Sequence, residues 1–123
     1  METTKELYRE AMKLFRENNL EEAILRLEKA VQADPAFVNG YEALGEMYMR
    51  SQRLDEALNA AKKFCELAPD DVMAHTNLSR MFQKKGMIKE AEDELMKAKL
   101  LSGKKKASKV RGFYLYHQDD MSE

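Results

Sequence analysis

Tryptophan is absent from this chain of 123 residues, and cysteine, proline and glycine are scarce, at one, two and five. Each shortage excludes something. A single thiol, Cys65, cannot close an internal disulfide, so the fold is not a stapled one, and the residue suits a reducing compartment. Few glycines and no glycine-rich loop leave no cradle for phosphate groups. No run of about 18 apolar residues exists to span a membrane, and the first ten residues, METTKELYRE, hold acidic side chains and no apolar core, unlike a secretory signal. A soluble, cytoplasmic protein is expected. Net charge is nearly absent too, at -1, but its distribution is uneven. Lys104, Lys105, Lys106, Lys109 and Arg111 outnumber Asp119, Asp120 and Glu123 near the C-terminus, leaving 16 basic and 19 acidic side chains elsewhere. A mildly acidic body is not the surface of a general nucleic-acid binder.

What is present is a repeat. Shifted by 34 residues the chain falls on itself: Leu7, Tyr41 and His75 align, as do Ala11, Gly45 and Ser79, then Leu14, Tyr48 and Phe82, then Leu20, Leu54 and Ile88, then Ala23, Ala57 and Ala91. Pro35 and Pro69 fall at the same point, where a proline ends a helix, and Gly103 takes the third place. Within each unit the apolar residues recur at helical spacing in two stretches, with Asn18-Asn19, Ser51-Gln52-Arg53 or Gly86 between them. The small residues at positions 11, 45 and 79 and at 23, 57 and 91 sit where the two helices of a hairpin must approach closely. Six helices are expected. They run from about Thr3, whose capping box with Glu6 opens the chain, to Glu17; Leu20 to Ala33; two helices between Tyr41 and Pro69; Val72 to Lys84 after an Asp70-Asp71 cap; and Ile88 to Leu101.

This pattern resembles the tetratricopeptide repeat family, with its 34-residue period and its small, aromatic, alanine and proline positions. The resemblance covers about residues 4–103. It implies an all-α, right-handed solenoid of three antiparallel helical hairpins, about 4–37, 38–71 and 72–103, followed by a basic and aromatic tail at 104–123. Ala61 and Phe64 reverse the large-then-small order of Leu27/Ala30 and Leu95/Ala98, a swap that roughly conserves volume.

Differences between the copies say where the array ends. The apolar pairs Gly40/Leu44 and Ala74/Leu78 correspond to Glu6/Glu10 in the first unit, while Ile24/Val31 and Leu58/Cys65 correspond to Glu92/Lys99 in the third. Terminal repeats have no neighbour to bury such faces, so polar outer faces fit a self-contained array; the alternative is unpatterned surface substitution.

The resemblance places a concave groove on the first helix of each hairpin. In the first unit it would be lined by Lys5, Tyr8, Met12, Phe15 and Arg16. The second supplies Asn39, Glu42, Glu46, Met49 and Arg50, and the third Met73, Thr76, Asn77, Arg80 and Lys84. Tyr8, Met12 and Phe15 make a second apolar stripe beside the internal set Leu7, Ala11 and Leu14, so this helix is apolar over more of its girth than one buried face needs. Either a partner covers that stripe or it pads the hairpin core. One subclass of the family clamps the C-terminal carboxylate of chaperones with lysine, asparagine and arginine. The corresponding slots here hold Tyr8, Met12, Ala43, Met73 and Asn77, so the clamp is absent. Asn77 remains able to contact a peptide backbone with its amide, or to satisfy itself locally.

No catalytic set emerges. His75 sits in the slot of Leu7 and Tyr41 and reads as a packing residue, His117 lies in the tail, and no metal spacing links either to Cys65, itself aligned with Val31 as a small buried side chain. The expectation is a non-catalytic module that needs no cofactor or metal and binds a peptide or helix of another protein. Its rival is a homo-oligomeric scaffold built on the same stripes. For the tail, Phe113, Tyr114, Leu115 and Tyr116 could close over Leu95, Leu100 and Leu101, and the lysines could extend the sixth helix by a turn, stay disordered or touch an anionic surface.

Overall fold

A computed structural model describes the backbone of residues 2–117 and the side chains of residues 2–103. Among the described residues all regular structure is helical: α1 (Thr4–Arg16), α2 (Leu20–Ala33), α3 (Val38–Arg50), α4 (Leu54–Leu67), α5 (Val72–Lys84) and α6 (Ile88–His117). Local chemistry sets the boundaries. The Thr3 hydroxyl accepts from the Glu6 amide at 3.1 Å while the Glu6 carboxylate accepts from the Thr3 amide at 2.8 Å, a complete capping box. Asp71 accepts from the Met73 amide at 2.9 Å and so opens α5. The three hairpin turns use the same device at the repeat spacing: Asn18 (φ 62°), Gln52 (φ 65°) and Gly86 (φ 78°) all adopt the left-handed conformation that reverses the chain. Only the third is a glycine, the residue that pays no Cβ penalty there.

Each helix packs most extensively on its hairpin partner, then α2 on α3 and α4 on α5, with α3 and α5 also touching. The core follows the repeat. Ala11 and Ala23, and Ala57 and Ala61, are at most 2% exposed, letting backbones approach, and Ile24, Leu27, Met47, Phe64 and Met81 fill the space beside them. Burying one such side chain contributes about 1.5–3 kcal/mol. The reversal at Ala61/Phe64 is accommodated, since both are buried. At the third small position the Ser79 hydroxyl donates to the Ala91 carbonyl at 2.8 Å, so the close approach of α5 to α6 also satisfies a buried polar group. Glu6 and Glu92 on the outer faces are exposed, whereas Gly40, Leu44, Ala74 and Leu78 are buried between hairpins.

Two expectations need correction. Helix α3 begins at Val38, one turn before Tyr41, and α6 does not stop near Leu101 but runs on to His117. Pro35 and Pro69 end their units because proline cannot continue a helix. Gly103 merely costs about 1 kcal/mol inside one, and Lys104–Lys106 and Ala107 after it are good helix formers. The proposed lid of Phe113–Tyr116 concerns side chains outside the described residues. Leu95, which aligns with the buried Leu27, is 36% exposed, since among the described residues no further helix covers α6.

Candidate partner-binding groove

The first helices α1, α3 and α5 stand side by side and enclose a hollow of about 510 Å³. Tyr8 and Met12 form its α1 wall, Asn39, Glu42, Ala43 and Glu46 its floor, and Met73, Thr76, Asn77 and Arg80 its α5 wall. Of the residues expected in the groove, the structure thus brings together Tyr8, Met12, Glu42, Glu46, Met73, Asn77 and Arg80, along with Asn39 and Thr76.

The others lie elsewhere. Phe15 and Met49 are partly buried against the core, and Arg50 stacks on the Phe15 ring at 5.1 Å. Lys5, Arg16 and Lys84 are exposed away from the hollow. Padding therefore accounts for Phe15, while Tyr8 does both jobs: its ring meets Phe37 edge-on at 5.5 Å and still faces the hollow.

Polar groups in the hollow divide by whether the protein already uses them. The Thr76 hydroxyl is spent on the Val72 carbonyl at 3.0 Å. Glu46 is held by Arg50 at 3.3 Å and Arg80 at 3.1 Å, an ion pair that ties α3 to α5 across the floor. Glu42 differs. Burial, then the nearby Asp71, raises its carboxyl above the ordinary value, and among the described residues no cation pairs with it. The half-buried Asn77 amide likewise has no hydrogen-bond partner among the described residues. Met73 stands 51% exposed at the rim.

A larger hollow of about 600 Å³ lies over α2, α3 and α4, lined in part by Glu28, Tyr41, Tyr48, Asn59 and Lys63. Its charges are already engaged. The Tyr48 hydroxyl donates to Glu28 at 2.5 Å, and burial, then this contact, pushes the phenol well above its ordinary range. Arg53 lies over the Tyr48 ring at 4.8 Å and pairs with Glu56 at 2.7 Å. This network locks the joint between the first two hairpins and leaves a ligand little to bind.

His75 packs inside as expected, but it does more than pack, and the fold brings it beside Cys65, which no spacing in the sequence indicated. His75 is buried, but both ring nitrogens are engaged: Nε2 lies 2.7 Å from the Pro69 carbonyl and Nδ1 2.8 Å from Glu94 Oε1, with Cys65 Sγ 3.8 Å from the same Nδ1. Lys97 holds the other Glu94 oxygen at 2.8 Å. Burial opposes the Glu94 charge, yet His75 and Lys97 outweigh it and hold the carboxyl below its ordinary value. Burial, aided by Glu94, pushes the Cys65 thiol up to about 11, which makes it a poor nucleophile. Slot-by-slot alignment hid this cluster because its partners lie 10 and 19 residues from His75. The signal was Glu94, a carboxylate in a slot where the second unit has the buried Ala60.

Stacked hairpins at a 34-residue period, with the small positions buried in register, define a helical repeat protein. The sequence model of the tetratricopeptide repeat matches residues 8–72, and the chain belongs to that family. Solved structures agree on the fold. MamA superimposes with a TM-score of 0.80 at 23% identity, over 84% of this chain and 60% of that one. The CopN-Scc3 complex gives 0.76 at 19% identity, over 80% and 58%. The second TPR of Spaghetti (RPAP3) bound to the HSP90 peptide SRMEEVD gives 0.75 at 19%, over 81% of this chain and 93% of that one. The chain spans about 60% of the MamA chain, so at these identities the likeness shows the fold alone. Among the described residues no helix is long and apolar enough to cross a membrane.

Proposed function

We propose that residues 4–103 form a non-catalytic, cytoplasmic interaction module whose concave groove grips a peptide or helix of a partner protein. The ligand presents an apolar side chain to Tyr8, Met12 and Met73 and a basic side chain to Glu42. One observation carries the reading: a partly desolvated carboxylate that no cation pairs with among the described residues stands beside an apolar wall in a hollow of about 510 Å³. A partner's lysine or arginine would relieve the cost that burial imposes on that charge. Asn77 supplies an uncommitted amide for the ligand backbone. The solved structure with an HSP90 peptide is of a protein of this fold that takes a peptide, but the clamp slots here hold Tyr8, Met12, Ala43, Met73 and Asn77. A chaperone-tail carboxylate would meet no lysine or arginine clamp in these slots.

Peptide-display selection against the full chain tests this. Selected sequences should pair an apolar with a basic residue, and Glu42→Arg should abolish their binding while leaving the fold intact. Acidic consensus sequences, or binding untouched by Glu42→Arg, would overturn the assignment. Self-association is a second reading, favoured by Leu95, Met96 and Leu100, which stand 36–63% exposed on α6. Sedimentation at several concentrations separates the two.

A further inference from the structure

Cys65, His75 and Glu94 come from three different helices, α4, α5 and α6, and their donor atoms lie within 4.8 Å of one another. The geometry is not that of a nucleophile with its base. In such a relay the two imidazole nitrogens are divided between thiol and acid, whereas here Sγ and the Glu94 carboxylate both face Nδ1. The other nitrogen is committed from behind. The Pro69 carbonyl can only accept, so Nε2 carries a proton, and a backbone carbonyl on the far nitrogen is the usual way that a protein orients a metal-binding imidazole. Lys97, on the second Glu94 oxygen, holds the carboxylate with Oε1 turned inward.

We propose that Cys65 Sγ, His75 Nδ1 and Glu94 Oε1 bind a zinc ion that clips α4, α5 and α6 together at the last joint of the array. Tetrahedral zinc with a sulfur at about 2.3 Å and nitrogen and oxygen at about 2.0–2.2 Å holds its ligands roughly 3.4–3.6 Å apart. The sulfur–nitrogen separation of 3.8 Å is already near that. Glu94 Oε1, at 2.8 Å from Nδ1 and within 4.8 Å of Sγ, has to move off Nδ1 by roughly half an ångström and, at most, close on Sγ by about one, a shift within reach of side-chain rotation. Binding forms three coordinate bonds and releases the thiol proton and the Nδ1 proton to solvent. Cys65 is only half-buried, so water completes the fourth position. The ion replaces the shared proton at the centre of the cluster, and its function is structural: it ties three helices by side chains 10 and 19 residues apart.

The test uses the full chain, stripped with a chelator and titrated with zinc against a chromogenic competitor, and with cobalt as a spectroscopic probe. Wild type is expected to take up a single zinc ion, to show a thiolate-to-cobalt charge-transfer band, and to melt at higher temperature when loaded. Cys65→Ser, which should fold because it changes one atom at a half-buried site, is expected to lose the band and weaken zinc binding by roughly tenfold or more. Glu94→Gln should weaken it comparably while keeping the band. The absence of a thiolate band in folded wild type, or equal zinc affinity in wild type and folded Cys65→Ser, would overturn the site.

Discussion

Two glycines in α3 should respond oppositely to the same substitution. A Cβ built on Gly45 meets Met81 Cε at 3.5 Å, the Ala57 carbonyl oxygen at 3.9 Å and Ala60 Cβ at 4.0 Å, all ordinary contacts. Alanine there removes the helix-interior penalty of glycine, about 0.5–1 kcal/mol, and buries a methyl worth about 0.8 kcal/mol. Gly45→Ala is therefore expected to stabilise by about 1–2 kcal/mol, raising Tm by several degrees. A Cβ on Gly40 would sit 2.7 Å from Val31 Cγ1 and 2.8 Å from Phe37 Cδ2. Val31 is β-branched and Phe37 is held edge-on by Tyr8, so neither yields freely. Overpacking of that kind costs about 1–3 kcal/mol, which exceeds the helix gain at the first turn and leaves Gly40→Ala destabilised by about 1 kcal/mol. Urea denaturation with the slope held constant reads both changes directly. If Gly45→Ala loses stability, or the two variants shift the midpoint the same way, the packing of α3 between its neighbours is wrong.

The turns and the first cap give further predictions. Gln52→Gly should stabilise by up to about 1 kcal/mol and Gly86→Ala destabilise by about as much, because the left-handed conformation penalises a side chain; thermal melts of the pair check the sign. Thr3→Ala should cost about 1 kcal/mol through loss of the capping box. The Glu6 carboxyl is held below its ordinary value, first by the Thr3 backbone N–H and then by the Thr3 hydroxyl. Its contribution is accordingly present above the ordinary carboxylate value and lost as pH falls through the lowered one. Wild type and Glu6→Gln should therefore differ at neutral pH and converge in acid, as melts across pH would record.

Much of this architecture was legible because a period fixes several things at once. The 34-residue shift placed four of six helices closely, since the buried alanines and the turn residues at 18, 52 and 86 recur with it. The same shift failed where one copy departs from the others. It read His75 as an apolar side chain because its aligned partners are Leu7 and Tyr41, and it carried no information on Glu94 across the hairpin. A glycine at position 103 looked like the prolines at 35 and 69, yet only proline removes a donor and clashes with the preceding turn. Helix girth showed that α1 is apolar on two stripes but not which residues of the second stripe face the hollow, so Phe15, expected in the groove, instead packs on the core under Arg50.

Under the proposed function, ligands enter between α1, α3 and α5. Methionine methyl resonances report on it directly, because the side chains are distributed over distinct environments: Met12 and Met73 line the groove, Met47 and Met81 are buried, and Met96 stands 56% exposed on α6. On titration with a peptide obtained by selection, Met12 and Met73 should shift most while Met96 stays in place. Shifts confined to Met96, with Met12 and Met73 unmoved, would place the binding surface on α6 and not in the groove.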